Sequence, residues 1–191
     1  MKKFTVTQLL TAILIVLTGF SLYSCSSDGP DIPPVKLEDV NGNYKGRLIT
    51  IQGNVKTEKI KDFKVKKDTI TFAEFPIQEI VRTVIKDPAK ADEAVKTIGK
   101  VKYNIKYTSS INTASNVVEL SLAPKALEIR IPVDGVLKKT EVALVSKQKG
   151  FYVGMDESLR FALVAEKITV DGTVLGSYEA INYNFPFCVK N

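Results

Sequence analysis

Apolar and polar residues alternate with a period of two along much of the chain. The clearest example is residues 101–107, where lysine or asparagine separates Val101, Tyr103, Ile105 and Tyr107. Residues 118–122 and 127–133 repeat the alternation. Because successive side chains of a strand point to opposite faces, the pattern predicts strands with one buried and one solvated face. Such strands are typical of antiparallel sheets.

Paired Asp-Gly residues mark two predicted hairpin turns. Asp134-Gly135 and Asp171-Gly172 each lie between residues that favour strands. Both central residues of a type I′ turn need positive φ, which Asp and Gly adopt readily. We predict a third hairpin at Lys67-Asp68. The predicted strands are residues 44–52, 58–66, 69–74, 100–108, 116–123, 126–133, 136–148, 150–154, 159–170 and 173–185.

The segment 76–98 departs from this alternation and predicts a helix pair. Its first half has one apolar stripe at helical spacing, formed by Ile77, Ile80, Val81, Val84 and Ile85. Pro76 suits the first turn of that helix, and Asp87-Pro88 suits the start of the second. Gly99 suits its end. The pair either packs on the sheet to complete the core or caps a ligand cavity.

These patterns together predict a mainly β fold in a single domain, residues 37–191. We expect one antiparallel β-barrel or sandwich of about 8–10 strands with the helix pair inserted at about 76–98. Pro132 is expected at a strand end, an edge or a bulge, because proline lacks an N–H group.

The N-terminal residues have the pattern of an export signal. Lys2 and Lys3 precede an apolar run at residues 9–22, which is shorter than the roughly 20 residues of a membrane-spanning helix. We interpret residues 1–24 as a signal peptide, with an uncleaved N-terminal anchor as the alternative.

Leu22, Tyr23 and Ser24 precede Cys25, and this sequence resembles the lipobox of bacterial lipoproteins in the looser form found in Bacteroidota. The resemblance implies cleavage before Cys25 and lipidation of its sulfur, with a free Cys25 after simple cleavage as the alternative. Residues 25–36, which contain three prolines, would then form a tether. The implied location is the outer membrane of the cell envelope, on a face that the sequence leaves open.

Composition excludes several functions. The chain has no histidine, which excludes Ser-His-Asp catalysis and zinc sites with histidine ligands. No motif for a calcium loop or a nucleotide is present, so we expect no metal, no cofactor and no enzymatic activity. The net charge of +6 comes from scattered lysines, densest in residues 56–68, which we interpret as a solvated strand face or a guarded sheet edge. We expect no nucleic-acid partner. Cys188 has apolar neighbours and is expected to be an inert, buried or half-buried thiol.

Gly42-x-Tyr44 before the first strand resembles the G-x-W signature of lipocalins, with tyrosine at the tryptophan position. The resemblance implies a calycin-like barrel around a cavity. Taken whole, residues 1–191 resemble a family of uncharacterised Bacteroidota lipoproteins that contain a domain of unknown function. That second resemblance implies a location only.

Two functions follow as hypotheses. The first is a lipid-anchored, non-enzymatic protein that binds a small apolar or amphipathic ligand beneath the helices. Its predicted ligand-binding residues are Tyr44, Tyr103, Ile105, Ile80 and Val84. The second is an interaction or structural module with a solid core that contacts another envelope protein. A third hypothesis, an enzyme that uses Asp, Glu, Tyr or Lys, has no supporting motif.

Overall fold

Eight antiparallel strands close into a barrel in the computed structural model, which describes residues 33–191. The described residues form eleven strands in all, of which eight make the barrel. They are β1 (Gly42–Gln52), β2 (Val55–Lys66), β3 (Thr69–Phe72), β4 (Tyr103–Asn112), β5 (Val117–Pro124), β6 (Leu127–Val133), β7 (Val136–Val145), β8 (Gly150–Val153), β9 (Ser158–Val170), β10 (Thr173–Val174) and β11 (Ile181–Lys190). The helices are α1 (Gln78–Val84) and α2 (Pro88–Ile98), and a 3-10 turn spans Leu37–Val40. Residues 34–191 form one compact unit.

The closed ring follows the order β11-β1-β2-β3-β4-β5-β8-β9, and β9 pairs again with β11. The predicted mainly β fold is therefore confirmed, and of the two expected architectures the structure is the barrel. The second half of β9 continues beyond the ring and pairs with β7 and β10, and β7 pairs with β6. These three strands extend the sheet on one side of the barrel.

The predicted hairpin turns are confirmed by their backbone angles. Asp134 and Gly135 have φ of 47° and 83°, and Asp171 and Gly172 have φ of 48° and 81°. Lys67, in the turn between β2 and β3, has φ of 56°. Positive φ at both central residues matches the right-handed twist of the flanking strands.

The predicted helix pair is also confirmed, as two short helices. Ile80 and Val81 of the apolar stripe are fully buried. The carboxylate of Asp87 accepts hydrogen bonds from the backbone N–H groups of Ala89 and Lys90, at 2.9 and 3.1 Å, and so caps α2. Pro76 was predicted to lie in the first turn of the first helix, but that helix begins two residues later, at Gln78.

Helix α1 lies beside a part of β2 that has no strand partner on one side. β3 pairs only with residues 64–66 of β2, so residues 55–63 have β1 as their one neighbouring strand. Inward side chains from this stretch contact α1 and the residues before it. The contacts join Thr57 to Glu79 (3.2 Å), Lys59 to Gln78, and Lys61 to Glu74 (3.6 Å). The lysine-rich run therefore includes an edge of the sheet, where the lysines contact the helical segment.

One predicted strand was wrong. Residues 173–185 were expected to form a single strand, but the structure has the short β10 at 173–174 and a separate strand, β11, at 181–190. Residues 175–180, which include Gly176 and Ser177, connect the two. The alternation of Ile181, Tyr183 and Phe185 with asparagines belongs to the second strand, which closes the ring.

The pairing of β11 with β1 is irregular where the chain contains Pro186. The register shifts between Arg47 and Ile49 on β1, and between Phe185 and Cys188 on β11. A bulge tolerates proline because its extra residue makes no ladder hydrogen bond. Beyond the shift, Cys188 points inward and lies opposite Gly46. A Cβ at position 46 would lie 2.5 Å from the Cα of Cys188 and 2.6 Å from the carbonyl oxygen of Phe187.

Replacing Gly46 by alanine should therefore destabilise the barrel. The backbone of β11 cannot move away without breaking its pairing, so we expect the free energy of unfolding to fall by about 1–3 kcal/mol. The measurement is urea denaturation of residues 34–191. Gly176→Ala is the matched control, because a Cβ at that position meets no atom within 4 Å. Equal midpoints for the two variants would contradict the close approach of β1 and β11.

Candidate functional site

A column of aromatic rings fills the barrel where the ligand was expected. Ring centroids are 5.4 Å apart for Tyr44 and Phe63, 5.2 Å for Phe63 and Phe72, 5.5 Å for Phe72 and Phe75, and 4.8 Å for Phe75 and Tyr103. Tyr44 and Tyr103, two of the predicted ligand-binding residues, thus lie at the two ends of a continuous series of ring contacts, in which the first pair is stacked and the others are tilted or edge-on. They do not face each other across an open space.

Rings from the other side of the barrel meet this column. Phe161 on β9 and Phe185 on β11 stack with centroids 4.5 Å apart, and both contact Phe63. β3 and β9 lie four places apart around the ring of eight strands, yet Phe72 and Phe161 have centroids only 6.5 Å apart. Side chains therefore meet across the full width of the barrel, as the interior of an eight-stranded barrel allows.

The hydroxyl groups of the two predicted tyrosines bind backbone oxygens. Tyr44 donates a hydrogen bond to the carbonyl of Val40 at 2.7 Å, and Tyr103 donates to the carbonyl of Lys125. Burial raises the pKa of both phenols far above their ordinary value, so both stay protonated. The hydroxyls therefore hold the ends of the ring column in place.

The three predicted aliphatic residues lie in different surroundings. Ile105 and Ile80 are completely buried within the core. Val84 is partly buried and lies at the surface end of α1. The structure thus places Tyr44, Tyr103, Ile105 and Ile80 inside one packed core, and Val84 packs against that core from the surface.

Val84 lines a cleft of about 420 Å³ between the end of α1 and the segment that follows β10, here named the α1 cleft. Leu175 and Tyr178 add apolar surface to its walls, and Arg82 and Lys86 add positive charge. Among the described residues that line it there is no aspartate or glutamate. The sequence predicts Val84 as a ligand contact but does not predict the opposite wall of the cleft, because the pattern there predicts a continuous strand over residues 173–185.

A buried polar cluster lies under α1 and was not anticipated. Glu79 is 7% exposed, and its carboxylate accepts a hydrogen bond from Thr57 at 3.2 Å. Tyr183 is fully buried, and burial, followed by the negative charge of Glu79, raises the pKa of its phenol well above the ordinary value. Within residues 33–191 the Tyr183 hydroxyl has no hydrogen-bond partner. A helical pattern alone places Glu79 on the polar side of α1, so only the packing against β2 reveals its burial.

The outer face of the barrel presents a row of alternating apolar and cationic side chains across five neighbouring strands. Each member lies opposite or diagonally beside the next on β2, β1, β11, β9 and β8. We name it the outer row, and its members are Ile60, Arg47, Phe187, Arg160 and Phe151. At the usual spacing between strands it is about 19 Å long. Ile60, Phe187 and Phe151 are 59%, 44% and 38% exposed.

The two arginines of the outer row are held in place by local contacts. The guanidinium of Arg160 lies 5.5 Å from the ring centre of Phe187 and 2.6 Å from the carboxylate of Asp156. Arg47 lies 3.5 Å from Glu58. Arginine and aromatic residues are enriched among the residues that dominate protein interfaces. The sequence could not show this row, because its members are far apart in the chain.

Of the two cysteines, the structure describes Cys188. It is completely buried, and burial raises the pKa of its thiol to about 12, as expected for an inert residue. The signal peptide at 1–24 and the lipidation site Cys25 lie outside the described residues. At the end of the predicted tether, Val35 is buried, and its N–H group donates to the side chain of Asn116 at 2.9 Å.

The described part of the chain contains no group of three or more Cys, Asp or Glu side chains arranged to hold a metal ion. Over the same residues, no helix has the length and apolar character needed to cross a membrane.

Comparison with known proteins yields one finding. The family model DUF4840, described as a domain of unknown function, matches residues 39–170. The match covers the strands from β1 to β9 and both helices. No curated protein and no solved structure shows a significant match to the chain.

Removing single tyrosine hydroxyls should change stability in opposite directions. Tyr183→Phe removes a buried hydroxyl that has no partner, so we expect the free energy of unfolding to rise by up to about 1 kcal/mol. Tyr44→Phe is the matched comparison. It leaves the Val40 carbonyl without its donor and should lower the free energy by about 0.5–1.5 kcal/mol. Urea denaturation of residues 34–191 measures both. A loss of stability in Tyr183→Phe would contradict the claim that the Tyr183 hydroxyl has no hydrogen-bond partner, and would indicate a buried water as that partner.

Proposed function

We propose a function for this chain, which belongs to the family DUF4840, a domain of unknown function: it is a lipid-anchored, non-enzymatic interaction module of the outer membrane. The observation that supports this proposal best is the contact of Phe72 with Phe161 across the barrel. Because side chains from opposite walls of the barrel touch, we propose that the barrel holds its outer surface in a fixed shape, and that partners bind to this surface.

The rival hypothesis, a carrier with an internal ligand, requires a cavity of about 300 Å³ or more in the barrel. Phe63 alone is in contact with four other rings in that volume. A ligand could enter only if several of these rings left their packed positions, and each such displacement would cost packing energy of the kind lost in core substitutions. The geometry therefore favours the interaction module.

The outer row is the contact face that we propose for this module. It combines three exposed apolar side chains with two arginines whose orientations are fixed by neighbouring groups. Arginine binds carboxylates with two parallel hydrogen bonds, and exposed aromatic rings bury large apolar areas on association. Asp156 and Glu58 already occupy part of each guanidinium group, so the matching partner is an envelope protein that presents mainly apolar side chains, with carboxylates that share these arginines.

The proposed anchor is the lipid on Cys25, supported by the lipobox-like residues Leu22 to Ser24. The described chain enters the barrel at Val35, beside the 3-10 turn and the end of β1 that contains Tyr44.

The absence of catalytic activity stays part of the proposal. The chain has no histidine, and burial raises the pKa of the Tyr44, Tyr103 and Tyr183 phenols and of the Cys188 thiol. These shifts keep the groups protonated near neutral pH and make them poor nucleophiles and bases.

The lipid anchor can be tested by Cys25→Ser in cells labelled with a fatty-acid probe. We expect the unaltered chain to take up the label and sediment with membranes, and the variant to lose both properties. Cys188→Ala is the matched control, because it removes the other cysteine and should keep the label. Labelled Cys25→Ser protein would contradict the anchor.

The contact face can be tested by photo-cross-linking in cells. A benzoylphenylalanine at position 187 or 151 should give the same cross-linked partner, because both positions lie in the outer row. The control position is 136, at the tip of the β6–β7 hairpin, where Val136 is 56% exposed. Arg160→Ala should reduce the cross-link from position 187, since it removes the guanidinium that packs on that side chain.

Two outcomes of that experiment count against the outer row. One is an equal yield of the same product from position 136. The other is no product from positions 187 and 151 while the variants remain folded, as shown by unchanged urea midpoints. Either result would place the contact face elsewhere on the barrel.

A further inference from the structure

The α1 cleft is a second, separate feature, at the opposite end of β1 from Tyr44. Gln52, the last residue of β1, lies at its base. The eight residue steps from Tyr44 to Gln52 span about 26 Å in an extended strand. The cleft therefore lies far from the point where the N-terminal segment enters the barrel, and outside the ring-filled interior.

The two walls of the cleft are fixed to each other by one side chain. The amide nitrogen of Gln52 donates to the hydroxyl of Thr83 on α1, at 2.8 Å, and to the carbonyl of Glu179, at 3.1 Å. The Thr83 hydroxyl in turn donates to the carbonyl of Glu79, at 2.7 Å. These bonds connect α1, β1 and the segment before β11. A cleft whose walls are already bound together loses little entropy when it takes up a ligand.

The charges of the cleft are positive, and within residues 33–191 one of them has no ion-pair partner. Arg82 is bound to Asp92 at 3.0 Å, and hydrogen bonds from Arg82 and then Gln78 lower the pKa of that carboxyl group. Asp92 therefore stays ionised and compensates Arg82. Among the described residues no ion pair involves Lys86. Its ammonium group, at the rim of an otherwise partly apolar cleft, is left to compensate the charge of an incoming group.

We propose that the α1 cleft binds a small amphipathic anion. The anionic group, a carboxylate, sulfonate or phosphate, contacts Lys86 with support from Arg82. The apolar part lies against Val84, Leu175 and Tyr178. A volume of about 420 Å³ lies in the range usual for clefts that bind small molecules. The site is independent of the outer row and of the proposed anchor.

Lys86 also follows the C-terminus of α1, where a cation offsets the partial negative charge of the last carbonyl groups. That role alone would affect stability and not ligand selectivity. The two roles are separated by comparing an anionic probe with a neutral one of nearly the same shape. The pair is 8-anilinonaphthalene-1-sulfonate and N-phenyl-1-naphthylamine, which differ by the sulfonate.

The experiment titrates each probe by fluorescence into residues 34–191, which form a compact unit with its own closed barrel and core. We expect saturable binding of the sulfonate probe at one site and weaker binding of the neutral probe. Lys86→Gln should weaken the binding of the sulfonate probe about two- to fivefold and leave the binding of the neutral probe unchanged, since a partly exposed charge pair contributes that much to affinity. Lys100→Gln, which removes an exposed lysine elsewhere, should change neither.

A second variant fills the cleft. Gly176 lines it, has no positive φ, and a Cβ there meets no atom within 4 Å. Gly176→Leu should therefore fold normally and weaken the binding of both probes more than Lys86→Gln weakens the binding of the sulfonate probe. Ala89→Leu, on the exposed side of α2, adds the same side chain away from the cleft and should have no effect.

Several results would overturn the proposal. They are no saturable binding of the sulfonate probe, equal effects of Lys86→Gln and Lys100→Gln, equal effects of Lys86→Gln on both probes, or full binding by Gly176→Leu. If Gly176→Leu proved unstable, the comparison of Lys86→Gln with Lys100→Gln would still decide the question, because both remove exposed charges without an ion pair. Success or failure here leaves the outer row untouched, since the cross-linking positions lie on other strands.

Discussion

The contact between Phe72 and Phe161 is the constraint on which the rest of this molecule depends. The two rings come from strands on opposite sides of the ring of eight, and their centroids are 6.5 Å apart. Between and around them, Phe63 and Phe185 complete a cluster of rings that contact one another. Since these rings occupy the middle of the barrel, the two sites that we propose lie on its outside, one on the side wall and one at an end.

The two external sites differ in the kind of molecule that suits them. The outer row is exposed, slightly curved with the barrel and about 19 Å long by the usual strand spacing, which suits a protein surface. The α1 cleft is concave and small, which suits a single molecule. The interactions that position their residues also differ. The outer row depends on the register of five strands, and the α1 cleft depends on hydrogen bonds made by Gln52. A change at one site need not disturb the other.

Much of the fold was predictable from local pattern. Alternation gave most of the strands, Asp-Gly gave two turns, and the stripe at residues 77–85 with the cap at Asp87 gave the helices. The same alternation failed near the end of the chain. In residues 185–189, strict alternation places Phe187 on the same face as Phe185, but the bulge at Pro186 turns Phe187 outward and Cys188 inward. A bulge changes the face of every later side chain, and nothing in the pattern alone signals it.

The candidate sites were less predictable, for a related physical reason. The five predicted ligand-binding residues lie at inward positions of strands or on α1, but whether they line a space or fill it depends on which rings meet across the barrel. Ile60 offered a weak sign of the outer row, because it lies out of phase with Phe63 and Val65 on β2. Its neighbours Arg47, Phe187 and Arg160 could be found only from the register of strands that are distant in sequence.

The pairing of the first strand with the last sets the order in which this protein can fold. Tyr44 lies opposite Lys190, and Gln52 opposite Ile181, so closure joins residues that are separated by most of the chain. Contacts of such long range form slowly. Until β11 is available, β1 and β9 each expose a strand edge, and the central rings lack Phe185. A chain still being synthesised therefore cannot complete its core before its last strand is available. Late closure therefore leaves both edges open to pairing with other chains until the final strand is in place.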